Sequence, residues 1–90
     1  MERKPDQVLP HFGYVDLSDI RMPMYTIYDQ STADYPGKFV GRLVEGATNS
    51  ISNCVVVGPT YESVILALPP GLTRMPRNPN DLPWIIETWM

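Results

Sequence analysis

Cysteine and histidine are almost absent from this sequence, which contains one of each among 90 residues. A single cysteine cannot form an internal disulfide, and one cysteine with one histidine is too few for a structural zinc site. Cys54 stands between Asn53 and three valines, so we interpret it as an apolar core residue rather than a nucleophile activated by His11. A glycine-rich phosphate loop is also absent. The sequence therefore predicts a protein that is not an enzyme and that uses no metal and no cofactor.

Long runs of charge or of hydrophobic residues are absent as well. Seven basic and ten acidic residues give a net charge of −3, and the acidic residues are scattered along the chain. This pattern argues against nucleic-acid binding, which requires a concentrated positive surface. No stretch reaches the roughly 18 apolar residues that span a membrane, and no apolar signal segment follows the N-terminus. We therefore expect a cytoplasmic protein that binds neither nucleic acid nor membrane.

The hydrophobic content of 43% is sufficient for one small domain with a single modest core. Pro5, Pro10 and Gly13 interrupt any regular pattern near the N-terminus, so we expect an arm over residues 1–23 and one domain over residues 24–90. The arm contains apolar residues that can dock on this chain or on a partner.

Four segments rich in β-branched and aromatic residues predict strands at residues 24–29, 39–45, 51–57 and 84–90. Thr60 is a suitable N-cap for a helix over residues 61–68, where apolar residues recur at helical spacing before Pro69 and Pro70 end it. Short links between the first three strands favour antiparallel neighbours. We therefore expect an α+β fold, with a small, mostly antiparallel four-stranded sheet and one short helix packed on one face.

Two proline-containing segments are predicted to run over the surface. In the first, Pro36 and Gly37 suit the central positions of a type II turn. The second, residues 69–83, holds five of the ten prolines together with Arg74 and Arg77. Those two arginines could contact nucleic acid, but bonding to Asp81, Glu87 or carbonyl oxygens within the chain is the simpler expectation.

Three segments carry a resemblance to other proteins: YTIYD at residues 25–29, YPGKFVGR at 35–42, and LPPGLTRMPRNPNDLPWIIETW at 68–89. They resemble a group of short, uncharacterised proteins of bacteria and their phages. The resemblance covers residues 24 to the C-terminus and leaves out residues 1–23. The group has no established activity, cofactor or catalytic residue, so it implies no role for any position here. A phage or mobile-element origin would favour a protein that inhibits or redirects a host machine.

Tyrosine, tryptophan and arginine dominate the hot spots of protein interfaces, and this sequence places them in predicted loops and near the ends of strands. We therefore predict a non-enzymatic protein-binding module, whose partner in a phage setting is a host defence or regulatory protein. The alternative is a small-ligand-binding protein or minor enzyme with a pocket between helix and sheet. The candidate binding residues are Tyr28, Tyr35, Arg42, Arg74, Arg77, Trp84 and Trp89.

The C-terminal segment WIIETWM carries bulky apolar residues on both faces of the predicted strand. One short helix can cover only one face of the sheet, so the other face needs a second cover. The arm can provide it through Phe12, Tyr14 and Leu17, or a second copy of the chain can provide it. We predict a homodimer with Trp84 or Trp89 near the interface, since an uncovered apolar face is unusual in a monomer.

Overall fold

A computed structural model describes residues 5–90, apart from the side chain of Tyr14. Within these residues the secondary structure comprises six strands, one α-helix (α1, Tyr61–Ile65) and one turn of 3₁₀ helix (Phe12–Tyr14). No helix in this part of the chain is long and apolar enough to cross a membrane. The strands are β1 (Gln7–Val8), β2 (Pro23–Tyr28), β3 (Phe39–Glu45), β4 (Ser50–Gly58), β5 (Arg74–Pro76) and β6 (Ile85–Trp89).

The six strands form one sheet in the order β1-β4-β3-β2-β6-β5. Strands β2, β3, β4 and β6 confirm the four predicted strands, and the combination of a sheet with one short helix confirms the broad α+β class. The prediction of four strands was wrong, because β1 and β5 extend the two edges, and the sheet is mixed, because β1 pairs with β4 in parallel. Both added strands are two or three residues long and exposed throughout. Without a buried face they have no alternation of apolar and polar residues that a sequence pattern could reveal.

Helix α1 begins as predicted and ends earlier. The Thr60 hydroxyl accepts a hydrogen bond from the Ser63 N–H at 3.1 Å, and the Ser63 hydroxyl accepts one from the Thr60 N–H at 3.3 Å, so each residue caps the other. The α-helix ends at Ile65 instead of Leu68, and the last bond of the turn runs from the Leu68 N–H to the carbonyl of Ile65. This tighter 3₁₀ geometry has a local cause, because Pro69 disfavours the α conformation at the residue before it.

The core lies between the sheet and α1. Val64 of the helix, Ile27 of β2 and Leu43 of β3 are completely buried there. Phe12 of the arm joins them, with its ring centroid 4.8 Å from that of Tyr25 in an edge-on arrangement. The arm therefore docks on its own chain through Phe12, but on the helix side of the sheet, so the expectation that Phe12 covers the opposite face was wrong. The predicted contribution of the Tyr14 side chain lies outside the described residues. The division into an arm and a domain at residue 23 stays a prediction.

The opposite face of the sheet carries no helix formed by residues 5–90. Side chains alternate along a strand, so Tyr28, Val40 and Arg42 point away from α1, and the pairing of Val44 with Ile51 places Ile51 on the same side. Ile51 remains 49% exposed on this face, and Trp84, which precedes β6, remains 38% exposed. This face is therefore the one on which an additional group can bind.

Candidate binding pocket on the sheet face opposite the helix

A pocket of about 480 Å³ opens on the sheet face opposite α1. Its floor includes Val40, Arg42 and Ile51 of the sheet. Residues 31–35 of the loop between β2 and β3 line it as well, together with Leu82 and Trp84 from the segment that leads into β6. The volume falls within the range of about 300–1,000 Å³ that is usual for ligand sites. The lining is largely apolar and aromatic, and two of its side chains, Asp34 and Arg42, carry charge.

Hydrogen bonds hold the loop over the pocket in one conformation. The Lys38 N–H donates to the Tyr35 carbonyl at 3.1 Å, and Gly37 has a φ of 77°, which together describe the predicted type II turn. Glycine suits this position because other residues avoid a positive φ. Two further bonds tie the loop ends, from the Gly37 N–H to the Gln30 carbonyl at 2.9 Å and from the Asp29 N–H to the Trp84 carbonyl at 2.8 Å. The turn therefore fixes Tyr35 relative to the sheet.

Arg42 lines the pocket but uses its charge within the protein. Its side chain is buried, and Nη1 and Nη2 donate to the two carboxylate oxygens of Asp6, each at 2.9 Å. Nη1 also donates to the Ser52 carbonyl at 2.7 Å, and the Tyr35 hydroxyl donates to Asp6 at 2.8 Å. The hydrogen bond with Asp6 raises the pKa of Arg42, while burial, followed by the hydrogen bond with Asp6, raises the pKa of Tyr35. The guanidinium therefore stays charged and already has its counterion.

Several residues at this site were not indicated by the sequence, and one of them, Asp6, bonds both Arg42 and Tyr35. It lies 36 positions from Arg42 and 29 from Tyr35, inside the segment predicted as an arm. No motif links such distant positions. A carboxylate near a candidate arginine becomes informative only when the fold shows which of the ten acidic residues it is.

Arg74 and Trp89 lie on the other face of the sheet, around a buried carboxylate. Glu87 is 1% exposed and accepts hydrogen bonds from Arg74 Nε at 2.7 Å, from Trp89 Nε1 at 2.6 Å and from the hydroxyl of Tyr61 in α1. Burial by itself raises the pKa of Glu87, but the three donors outweigh burial, so the pKa lies below its ordinary value. Arg74 and Trp89 therefore join β5, β6 and α1 to one another and do not reach the pocket.

Arg77 organises the loop that precedes β6. Its Nη2 donates to the Asp81 carbonyl at 2.7 Å. In the same loop the Asp81 carboxylate accepts from the Asn78 N–H at 3.1 Å, and the Asp81 N–H donates to the Asn78 carbonyl at 2.9 Å. With the bond between Arg74 and Glu87, this confirms the expectation that both arginines bond within the chain. Arg77 thereby supports the segment that carries Leu82 and Trp84 to the pocket.

The space between the helix and the sheet is filled. Val64 of α1 lies so close to β3 that a Cβ added at Gly41 would be 2.9 Å from its Cγ1. The lack of a side chain at Gly41 therefore allows the helix to approach the sheet. The alternative function placed a pocket between helix and sheet. The pocket of about 480 Å³ lies on the other face of the sheet, and a second one, of about 310 Å³, lies at the C-terminal end of α1, where Ile65, Leu66 and Trp89 line it.

Residues with metal-binding or nucleophilic chemistry do not gather at the pocket. Among residues 5–90 no three His, Cys, Asp or Glu side chains are close enough together to hold a metal ion. His11 accepts from the Gly13 N–H through Nδ1 at 3.0 Å and so caps the 3₁₀ turn, while Cys54 is half-buried and contacts the core. The pocket thus presents aromatic, apolar and carboxylate groups.

Four of the seven predicted binding residues come together at the pocket: Tyr28, Tyr35, Arg42 and Trp84. The resemblance to short bacterial and phage proteins stays a prediction. The function of the pocket is inferred from its own geometry and chemistry, because no protein-family model, no curated protein and no solved structure matches this chain.

Proposed function

We propose that this protein is a non-enzymatic binding module and that the pocket receives a side chain of a partner protein. The observation that carries the proposal is the meeting of Tyr28, Tyr35 and Trp84 in one cavity on a sheet face that no helix covers. Tyrosine and tryptophan supply large contact areas with few rotatable bonds, which is why they dominate interface hot spots.

The surroundings of the pocket support binding of a protein surface rather than of an isolated group. Leu82, Ile51 and Trp84 line the pocket, remain partly exposed, and can pack against a partner around an inserted side chain. Apolar side chains around an inserted group exclude water from the central contact, as in characterised hot spots. The fixed loop and the Asp6–Arg42 ion pair also reduce the conformational entropy that binding would remove.

The partner is a host protein in the phage setting that the resemblance implies, with inhibition or redirection of that protein as the outcome. The same face is also the one that a homodimer would bury. Trp84 is then the interface tryptophan, because Trp89 packs against the core and donates to Glu87.

A small-ligand-binding function is the second candidate, and the pocket volume of about 480 Å³ favours it. A metabolite of ordinary size would fill such a space. The polar groups of Arg42 and Tyr35 that line the pocket are bonded to Asp6. The hydroxyl of Thr32, which also belongs to the lining, is buried and has no hydrogen-bond partner among the described residues, so it is available to orient a polar metabolite.

The test compares partner capture by three forms of the protein in bacterial lysate: wild type, Trp84→Ala and Leu66→Ala. Leu66 is 85% exposed beside α1, so its variant controls for loss of an exposed apolar side chain away from the pocket. A partner that uses the pocket should bind the Trp84→Ala form at least about 30-fold more weakly, the effect of losing a hot spot of roughly 2 kcal/mol, and should bind Leu66→Ala normally. Equal retention of the partner by all three forms would show that the partner does not bind at the pocket. Recovery of a bound metabolite without a protein partner would favour the second candidate.

A further inference from the structure

The charged side chains that line the pocket, Asp34 and Arg42, differ in whether another group of the protein neutralises them. Arg42 is matched by the carboxylate of Asp6 through two hydrogen bonds of 2.9 Å. Asp34, which also lines the pocket, is exposed, and its carboxylate makes no hydrogen bond or ion pair with the described residues. Among the described residues, the pocket lining therefore presents one unmatched negative charge and no unmatched positive charge.

Aromatic rings and apolar side chains accompany this carboxylate. Tyr35 follows Asp34 directly in the chain, and Trp84 lines the same cavity. A guanidinium group is planar, stacks on aromatic faces and bonds a carboxylate through two parallel N–H groups. Ile51 and Leu82 offer apolar surface for the methylene groups of such a side chain.

An acidic side chain is disfavoured in the same cavity. It would meet the carboxylate of Asp34, and Arg42, the cation that residues 5–90 contribute to the lining, is already bonded to Asp6. The chain as a whole carries a net charge of −3, so its overall field also repels anions and attracts cations.

We infer that the group received by the pocket is an arginine side chain of the partner protein, bonded to Asp34 and stacked against the aromatic lining. This inference rests on the proposed function and adds the chemistry of the partner to it. Asp6 acts indirectly, because its carboxylate keeps Arg42 from repelling the incoming cation.

The test is an NMR titration of the ¹⁵N-labelled protein with N-acetyl-arginine amide and with N-acetyl-citrulline amide, which has nearly the same shape and no charge. The arginine compound should shift the amide signals of residues 31–35 and the indole signal of Trp84, and should leave that of Trp89 unchanged. It should bind at least about fivefold more tightly than the citrulline compound, in line with the energies of cation–π contacts. Asp34→Asn should remove this preference, whereas Asp19→Asn, the same charge change at an exposed site outside the pocket, should keep it.

Asp6→Asn provides a second, independent variant, since an unmatched Arg42 should weaken arginine binding about as much as the loss of Asp34. Equal binding of the two compounds to the wild type, with shifts at the pocket, would overturn the inference and leave the proposed function standing. Tighter binding of N-acetyl-glutamate amide would overturn it as well. In a further outcome, Trp84→Ala loses partner capture while the bound surface of the partner contains no arginine. That result would overturn the arginine inference and leave the proposed function standing.

Discussion

Replacement of Asp6 by alanine offers the sharpest test of how the pocket is built. Among the contacts of the described residues, the substitution removes three hydrogen bonds, two from Arg42 and one from Tyr35, and leaves the guanidinium buried at 6% exposure without the Asp6 carboxylate. Arg42 keeps its bond to the Ser52 carbonyl, which cannot neutralise the charge.

The magnitude follows from the burial of both partners, whose side chains are 7% and 11% exposed. Removal of one member of a buried ion pair destabilises a protein by about 3–5 kcal/mol, because the remaining charge is left uncompensated. The small exposure of Asp6 favours the lower end, about 3 kcal/mol. For a domain of this size that loss lowers the melting temperature by roughly 12–24 °C. Replacing both residues, as in Asp6→Ala with Arg42→Met, should recover at least about 1 kcal/mol, because no unpaired charge then remains.

Urea and thermal unfolding followed by circular dichroism would measure these differences. Asp19→Ala is the matched control, since Asp19 is an exposed aspartate of the same N-terminal segment and its loss should change stability by less than about 0.5 kcal/mol. If Asp6→Ala also changes stability by less than that amount, the ion pair does not hold the N-terminal segment against the sheet. A double variant less stable than Asp6→Ala would likewise contradict the reasoning.

Three further predictions follow from the core and the exposed face. The pKa of Glu87 is depressed in the folded state, so its stabilising contribution is complete above the unfolded value of about 4.3 and is lost as the pH falls through the lower folded value. Glu87→Gln should therefore be less stable than wild type by about 1.5–3 kcal/mol at pH 7, and chemical denaturation at pH 7 and pH 3 should find that difference reduced at the lower pH. Deletion of residues 1–21 removes both Asp6 and the buried Phe12, so calorimetry should show a greatly weakened cooperative transition, and an unchanged transition would mean that the arm is dispensable. For the predicted homodimer, light scattering should show that Trp84→Glu is a folded monomer. Trp89→Glu should unfold the chain instead, because it places a second carboxylate beside Glu87. A wild type that is monomeric at high micromolar concentration would exclude the dimer.

The sequence by itself determined the features whose causes are local. Thr60 caps α1, and Pro36 with Gly37 forms the turn that begins at Tyr35, because these conformations depend on neighbouring residues. The four longer strands were also predictable, since their β-branched and aromatic content reflects burial along several consecutive residues.

Only the tertiary structure decided which distant groups meet. Nothing near Glu87 in sequence indicates that a carboxylate in the C-terminal strand is buried, because two of its three donors, Tyr61 and Arg74, come from elements 26 and 13 positions away. Likewise, the composition that suggested Arg42 as a binding residue could not reveal that Asp6 neutralises it. Ion pairs of this kind depend on the distance between side chains in space, and that distance is set by strand order and register rather than by any repeat along the chain.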